Sequence, residues 1–519
     1  MPAASALILV ISFPPLHLLV PPFVGLVPLA AWIHGLPADR AGRRGAVRGS
    51  LLFGLLYFGI LFYWILVALV WFTKLAILAY VGSLIMLGGA AVLFGWMLHR
   101  FIHDLRVPLW LALSIAWTAT EWFRAHWPGP LAFPWLGLGS SLTGFPELAG
   151  AAELVGARGL TFWMACVNGL LATAVVRART ERPWRRWVGA AALVTLVPMA
   201  WGVWRARTLP MRSAARVAVV QPNVPEHIKL DARTAIDSTF RALDRLMPEI
   251  APGSVDLVVW PEVTLPIHPR ADYAVGWMKR VEAYAREVGA PILMGGIGFE
   301  GDVFGDYVPY NSAFLVEPDG LADYEYDKRY LVPMVERVPL LPARWLRGLK
   351  YFGKFGVGKG WPLARVAGTS YGVLICYESS YPEGSRQYRL EGADILLNIT
   401  NDGWYGREQW WAQTTALWQH PAHMVMRAIE NRMGVARAAN TGISLFVDPV
   451  GRVHDATPLF HADVRTAEVY TTDVRTLYTR LGDVAGNGAA GAALLLLVAS
   501  WVGVGRRRSD RLDPRAGRR

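Results

Sequence analysis

The sequence predicts a multi-span α-helical membrane domain joined to an α/β sandwich domain, on three observations. The chain is 53% hydrophobic, carries 23 Trp and has a mean hydropathy of +0.29, too apolar for a water-soluble protein of 519 residues. Apolar stretches near the ~20 residues that cross ~30 Å of hydrocarbon recur before residue 205 and once more near the C-terminus. Between them lie about 280 residues of ordinary polarity, in which short apolar runs alternate with helical patterns.

The first apolar stretch, residues 4–33, is longer than one upright span and is broken by Pro14-Pro15 and Pro21-Pro22, which predicts a helical hairpin. No Lys or Arg precedes it, so it does not read as a signal peptide. Further spans are expected at 51–70, 75–99, 107–123, 150–176, 186–204 and 486–504, eight in all with both hairpin arms. Every second connection is basic: Arg40, Arg43, Arg44 and Arg48; Arg100 and Arg106; Arg177 to Arg186; and seven arginines from Arg506 onward. The positive-inside rule puts these segments in the cytoplasm and residues 71–74, 124–149 and 205–485 on the opposite side. The expected organisation is a transmembrane domain over 1–204 with about seven spans, a soluble domain over 205–485, a transmembrane helix over 486–505 and a basic tail over 506–519. The formal charge of +12 is then mostly a topology signal, and no basic patch on a soluble face invites nucleic acid.

Within the soluble segment, strands are expected in "ARVAVVQPN", "VDLVVWPE", "PILMGGI", "NSAFLVEP", "YGVLICYE", "ADILLNIT" and "VARAANTG", and helices at 232–248, 271–288, 382–391 and 409–433. Three strand ends carry chemistry: Trp260-Pro261-Glu262, Cys376-Tyr377-Glu378 and Asn398 to Trp404. Strand C-termini are where α/β folds place their active sites.

Several motifs compete for attention. "GKFGVGKG" matches a phosphate-binding loop except that Gly360 stands where Ser or Thr would hold Mg²⁺, and no strand-then-helix context surrounds it. "GTSYG" centres Ser370 in a nucleophile-elbow pattern but precedes a strand that the elbow must follow. His420 and His423 lie in a long helical pattern with no carboxylate motif beside them, which favours a packed or solvated pair over a metal site. Glu121 and Glu153, the acids near the spans, fall at span ends, so a transport path across the bilayer ranks last.

Cys376 is one of two cysteines; Cys166 lies in an apolar span, so no disulfide framework exists and Cys376 is expected as a free thiol. Alone, a cysteine ending an apolar strand reads as a small core residue. Its company changes that reading: "WPEVTLP" with Glu262, "YDKRYLVPMVERVPL" with Lys328 and Glu336, and "LICYES" with Cys376 follow one another in order. This order closely resembles the carbon-nitrogen hydrolase (nitrilase) superfamily and its α-β-β-α sandwich. With membrane helices on both flanks, and with "SFPP", "QPNVP", "NDGWYG" and "ANTGIS" in place, nearly the whole chain resembles the bacterial apolipoprotein N-acyltransferase family.

The resemblance implies an inner-membrane enzyme with its catalytic domain on the periplasmic side. Cys376 would take an acyl chain from a phospholipid, typically phosphatidylethanolamine, and pass it as a thioester to the free amine of a diacylglyceryl-cysteine on an apolipoprotein. Glu262 would be the general base, and the Lys328 ammonium would favour the thiolate and then the oxyanion. Glu336 would support these three, Tyr377 and Glu378 would follow the nucleophile with Glu378 orienting Lys328 or the backbone, and Trp404 would line the lipid entrance. Ester to thioester to amide runs downhill, so no ATP, metal or other cofactor is expected, and one copy of the chain should suffice. Two departures from the family pattern, Leu230 where Trp often follows the Lys and Met334-Val335 where Phe-Gly is common, fall in expected mobile loops over the pocket. A membrane-anchored amidase using the same residues and passing the acyl group to water is the alternative, for which one anchor would serve.

Overall fold

The computed structural model describes residues 1–70, 76–128, 131–301, 307–333, 335–337 and 355–512, with side chains to residue 502. The connection 71–74, Met334 and the end of the basic tail lie outside the described residues.

The N-terminal half is helical: α1 (Pro2–Val10), α2 (Pro21–Val24), α3 (Val27–His34), α4 (Arg40–Leu61), α5 (Trp64–Val70), α6 (Ala76–His103), α7 (Leu109–Ala125), α8 (Ala152–Arg179) and α9 (Arg185–Thr208). Among the described residues, α4, α6, α8, α9 and the stretch Val484–Val502 are long and apolar enough to cross a membrane. The arms of the N-terminal hairpin are shorter. Helix α1 has 9 residues, about 14 Å at 1.5 Å per residue, and the second arm is split into α2, which opens on Pro21, and α3, which carries Pro28 in its first turn. Residues 51–70 do not form one helix. The first span starts earlier, where Asp39 caps α4 by accepting from the Gly42 N–H at 2.8 Å, and it ends at Leu61, with α5 beginning after a turn.

The soluble half begins with β1 (Arg212–Gln221), α10 (Glu226–Lys229), α11 (Ala232–Leu246), β2 (Leu257–Val259), α12 (Val275–Val288), β3 (Ile292–Glu300), β4 (Val308–Glu317) and β5 (Gly320–Asp327). It continues with β6 (Ala364–Val366), β7 (Thr369–Ile375), α13 (Pro382–Glu391), β8 (Ile395–Thr400), α14 (Ala416–Asn431), β9 (Gly434–Ala439), β10 (Leu445–Val447), β11 (Val453–His454), β12 (Asp463–Thr471) and α15 (Leu477–Leu481), before α16 (Val484–Leu512) returns to the membrane domain. Two six-stranded mixed sheets result, in the orders β12-β1-β2-β3-β4-β5 and β11-β10-β9-β8-β7-β6.

Strand alternation builds the sandwich. Val217 and Val219 of β1, Leu257 and Val259 of β2 and Ala313 and Leu315 of β4 point inward, into the core shared with the second sheet. The residues between them, Ala218, Val220, Val258, Phe314 and Val316, point outward and meet Ile236, Phe240 and Leu243 of α11 and Met278, Val281 and Ala285 of α12. Those helical residues recur at three- and four-residue intervals, the stripe that a helix on a sheet requires.

The inner core runs without a break into the membrane helices. Gln419 of α14 joins the two halves: its Oε1 accepts from the indoles of Trp64 (3.1 Å) and Trp135 (3.0 Å), and its Nε2 donates to the Leu61 carbonyl (3.3 Å). Glu430 accepts from the Ala157 N–H of α8 at 2.8 Å. With Leu61 against the sandwich, the 22-residue α4 carries Arg40 about 30 Å away, so its basic end is the remote one.

Candidate active site

Three strand ends converge. Glu262 lies just after β2, Lys328 just after β5 and Cys376 just after β7, and all three are nearly buried, at 6%, 1% and 4% exposure. The Glu262 loop is seated on β3 at Gly295, where any Cβ would run into the backbone of Pro261 to Val263, so only glycine lets the loop approach this closely.

Glu262 Oε1 accepts from Lys328 Nζ at 3.3 Å and from Asn311 Nδ2 at 2.7 Å, and its Oε2 accepts from the Asn401 N–H at 3.0 Å. Lys328 Nζ also donates to Glu336 Oε1 at 2.9 Å, which Asn311 Nδ2 reaches from β4 at 2.9 Å. Glu336 Oε2 accepts from the Val332 N–H at 2.8 Å. One ammonium therefore sits between two carboxylates that share one amide donor. Burial alone would lower the Lys328 pKa, but Glu336, Glu262 and Cys376 outweigh it and raise it, so the side chain stays a cation.

Cys376 opens a 3-10 turn (Cys376–Ser380) in the left-handed region, with φ +51°. That conformation costs a non-glycine residue roughly 1–3 kcal/mol and needs an over-determined surround. Here the surround is Glu378, fully buried, which accepts from the Ile375 N–H (2.7 Å), the Arg329 N–H (2.8 Å), the Tyr330 N–H (3.1 Å) and the Tyr326 hydroxyl (2.8 Å). Glu378 thus ties the backbone before Cys376 to the backbone after Lys328, and among the described hydrogen bonds it makes none with the Lys328 ammonium itself. The strand-then-turn geometry that the "GTSYG" pattern would have required at Ser370 belongs to Cys376, whereas Ser370 sits within β7.

Burial and the neighbouring Glu262 carboxylate push the Cys376 thiol up, against the opposing pull of Lys328 and a hydrogen bond from Thr400. The Lys328 ammonium favours the thiolate, and burial opposes it. Desolvation of a buried thiolate acts against one cation already shared by two carboxylates.

Tyr377 turns away from the carboxylates. Its ring stacks on Trp135 at 6.0 Å between centroids, and its hydroxyl approaches the Ala132 carbonyl at 3.4 Å, both in the linker between α7 and α8. Trp404 is half-buried in the turn after β8 and packs on the core. Leu230 closes the helical turn α10, where a loop was expected, its N–H donating to the Glu226 carbonyl at 3.2 Å.

Sequence reasoning passed over a second buried network. Asp402 accepts from Arg437 Nη2 and His420 Nδ1, each at 2.7 Å, and His420 Nε2 lies 3.0 Å from the Cys376 carbonyl. His420 is neither a solvated residue nor a lone core histidine; its carboxylate partner sits 18 residues upstream on another element, where no local motif can show it. Burial would raise the Asp402 carboxyl, but Arg437 and His420 hold it well below the usual carboxylate range.

Known proteins share both halves of this architecture. An apolipoprotein N-acyltransferase from Geobacter metallireducens is 31% identical over 96% of this chain and 94% of its own length. The chain belongs to the apolipoprotein N-acyltransferase family. The family's N-terminal domain profile matches residues 5–170, and the carbon-nitrogen hydrolase profile matches residues 216–478. The apolipoprotein N-acyltransferase of Azotobacter vinelandii is 33% identical over 81% of this chain and 78% of its own. Among solved structures, an amidase from Nesterenkonia sp. aligns with a TM-score of 0.33 and 19% identity, covering 53% of this chain and 95% of that one. The N-acyltransferase family profile thus falls on the N-terminal helices as far as α8, and the hydrolase profile on the sandwich.

Proposed function

We propose that this membrane enzyme completes lipoprotein maturation by moving a fatty acyl chain from a phospholipid to the N-terminal amine of a diacylglyceryl-cysteine, with Cys376, Glu262 and Lys328 as its catalytic residues. The observation that carries the assignment is the meeting of a strained, buried cysteine with a carboxylate and an ammonium at strand ends, in a chain whose helical half carries helices of membrane-crossing length.

In the first half-reaction Glu262 takes the Cys376 proton as Sγ attacks the ester carbonyl. Charge collects on the carbonyl oxygen, where the Lys328 ammonium is already placed and needs no reorganisation. Collapse expels the lysophospholipid alkoxide, which takes the proton back from Glu262 and leaves a thioester on Cys376. In the second half-reaction the acceptor amine attacks the thioester and loses its proton to Glu262. The Cys376 thiolate leaves and is reprotonated by Glu262, so atoms and charges balance with no cofactor.

Glu336 and Asn311 hold Lys328 and Glu262 in register, and Glu378 fixes the nucleophile's backbone. The donor is phosphatidylethanolamine, the acceptor a diacylated apolipoprotein, and the enzyme acts as a monomer. Arginines cluster at the ends of α4 (Arg40 to Arg48) and α8 (Arg177, Arg179) that lie away from the sandwich contacts at Leu61 and Ala157, which supports an inner-membrane protein with its catalytic domain in the periplasm. Hydrolysis by water, the rival use of the same residues, has no support in a chain of this family.

Purified enzyme in detergent, given a chain-labelled phospholipid and a diacylated lipopeptide, should yield a triacylated lipopeptide. Cys376→Ala should abolish transfer while Ser370→Ala leaves it; the reverse pattern would make the serine the nucleophile.

A further inference from the structure

We infer that His420 is a positioning residue held as a doubly protonated imidazolium behind Cys376, fixing the strained nucleophile by its carbonyl and supplying the site with a further fixed cation. The inference rests on the reading of Cys376 as nucleophile and concerns the same site.

The hydrogen-bond geometry decides the protonation. Nδ1 lies 2.7 Å from Asp402 Oδ1, and Nε2 lies 3.0 Å from the Cys376 carbonyl. A carbonyl oxygen only accepts, and a carboxylate gripped by Arg437 only accepts. A neutral imidazole has one N–H. If the proton is on Nε2, the Nδ1 lone pair faces a carboxylate oxygen at 2.7 Å; if it is on Nδ1, the Nε2 lone pair faces a carbonyl oxygen. Only the cation satisfies both ring nitrogens. Arg437 Nη2 also stands 3.3 Å from Nδ1, but its shorter bond, 2.7 Å, goes to Asp402 Oδ2.

Two further observations agree. The indole of Trp135 stacks against the His420 ring at 5.2 Å between centroids, the distance and arrangement in which an aromatic face favours a cation. Asp402 also accepts on both oxygens, from Arg437 on Oδ2 and from His420 on Oδ1, and the two donors together hold its carboxyl well below the usual carboxylate range, as an ionised partner of an imidazolium would be. Lys229 faces both Glu226 and Glu262 and donates to the Glu262 carbonyl at 3.4 Å, Glu378 lies within electrostatic reach of Lys328, Tyr405 presents an edge to His420 at 5.7 Å, and burial lowers the pKa of His423 on the same helix. When the Cys376 proton moves to Glu262, the imidazolium stands next to the residue that has become negative.

The protonation is read directly in the wild-type protein. Enzyme labelled with ¹⁵N in its histidine rings and ¹³C in its cysteine carbonyls allows magnetisation transfer from the Cys376 carbonyl to pick out His420 by solid-state NMR in lipid at about pH 7.5, well above the ordinary histidine pKa. Both ring nitrogens should resonate as protonated; one deprotonated nitrogen overturns the inference. His420→Gln keeps a donor for the carbonyl and loses the charge, so the pH midpoint for iodoacetamide alkylation, followed on the Cys376 peptide, should rise by about one unit. A slower alkylation with an unmoved midpoint would reduce His420 to a structural role and contradict the proposal. Failure of wild-type enzyme to form any acyl adduct would instead remove Cys376 as nucleophile, while the NMR result would stand.

Discussion

Replacing Lys328 with Met tests the electrostatic frame of the site most severely, because the methionine keeps the volume and removes the charge. Two carboxylate oxygens lie within 3.3 Å of the ammonium. At an effective dielectric of about 20, a unit pair at ~3 Å interacts by about 5 kcal/mol, so the two pairs together give on the order of 10 kcal/mol. Most of this offsets the desolvation of three buried charges, and removing one partner of such a group costs a net ~3–5 kcal/mol. In the variant, Glu262 and Glu336 share only the Asn311 amide, and their repulsion forces one to hold a proton. Loss of the cation at the developing oxyanion adds a further ~10²–10³-fold in rate. The assay is single-turnover formation of the acyl-enzyme from labelled phospholipid, with the thermal midpoint followed alongside. Lys328→Met should form adduct at least about a hundredfold more slowly and melt several degrees lower. Adduct formation within about tenfold of wild type at an unchanged midpoint would refute the reasoning.

Glu378→Ala strands the Ile375, Arg329 and Tyr330 N–H groups in a fully buried place, at ~1–3 kcal/mol each, and should lower the yield of folded enzyme sharply; wild-type thermal stability would contradict it. Tyr377→Phe keeps the Trp135 stack and loses only a 3.4 Å contact, so activity should stay within a few-fold of wild type, whereas Tyr377→Ala should cost ~3–5 kcal/mol of stability in a denaturation series. Burial, with lesser help from Glu262, raises the Glu226 carboxyl to about 7. A carboxyl raised on folding contributes stability that is full below its unfolded pKa near ~4.3 and is lost as pH rises toward ~7, up to about 3 kcal/mol. Glu226→Gln should therefore flatten the decline in thermal midpoint between about pH 5 and 8; an unaltered decline would place it elsewhere.

What the sequence made legible follows the physics of each element. Buried strands such as β2 and β7 are short apolar runs, and the residues that follow them, Glu262 and Cys376, stood out against that background. Strand β5, "GLADYEYD", and strand β12, "DVRTAEVYT", were not legible because both are sheet edges whose outer positions carry charges, so their alternation dilutes into a polar pattern. Lys328, singled out by motif order alone, follows a strand that the pattern hid. The long helix expected at 409–433 begins only at Ala416, since Trp410 to Ala412 form a separate 3-10 turn. Asp402, Arg437 and His420 come from three elements, and only tertiary folding brings them together behind the cysteine. Asn311 was hidden for a different reason: an amide inside an apolar strand carries no signature of the two carboxylates it bridges.

The most direct measurement is the mass of the Cys376 peptide after wild-type enzyme has met phospholipid with no acceptor present. A fatty acyl increment on Cys376, discharged by hydroxylamine and chased onto a diacylated lipopeptide added later, is the predicted result. An unmodified Cys376 in enzyme that goes on to acylate the lipopeptide, or an increment that water removes as fast as the peptide does, would contradict a thioester relay at this sulfur.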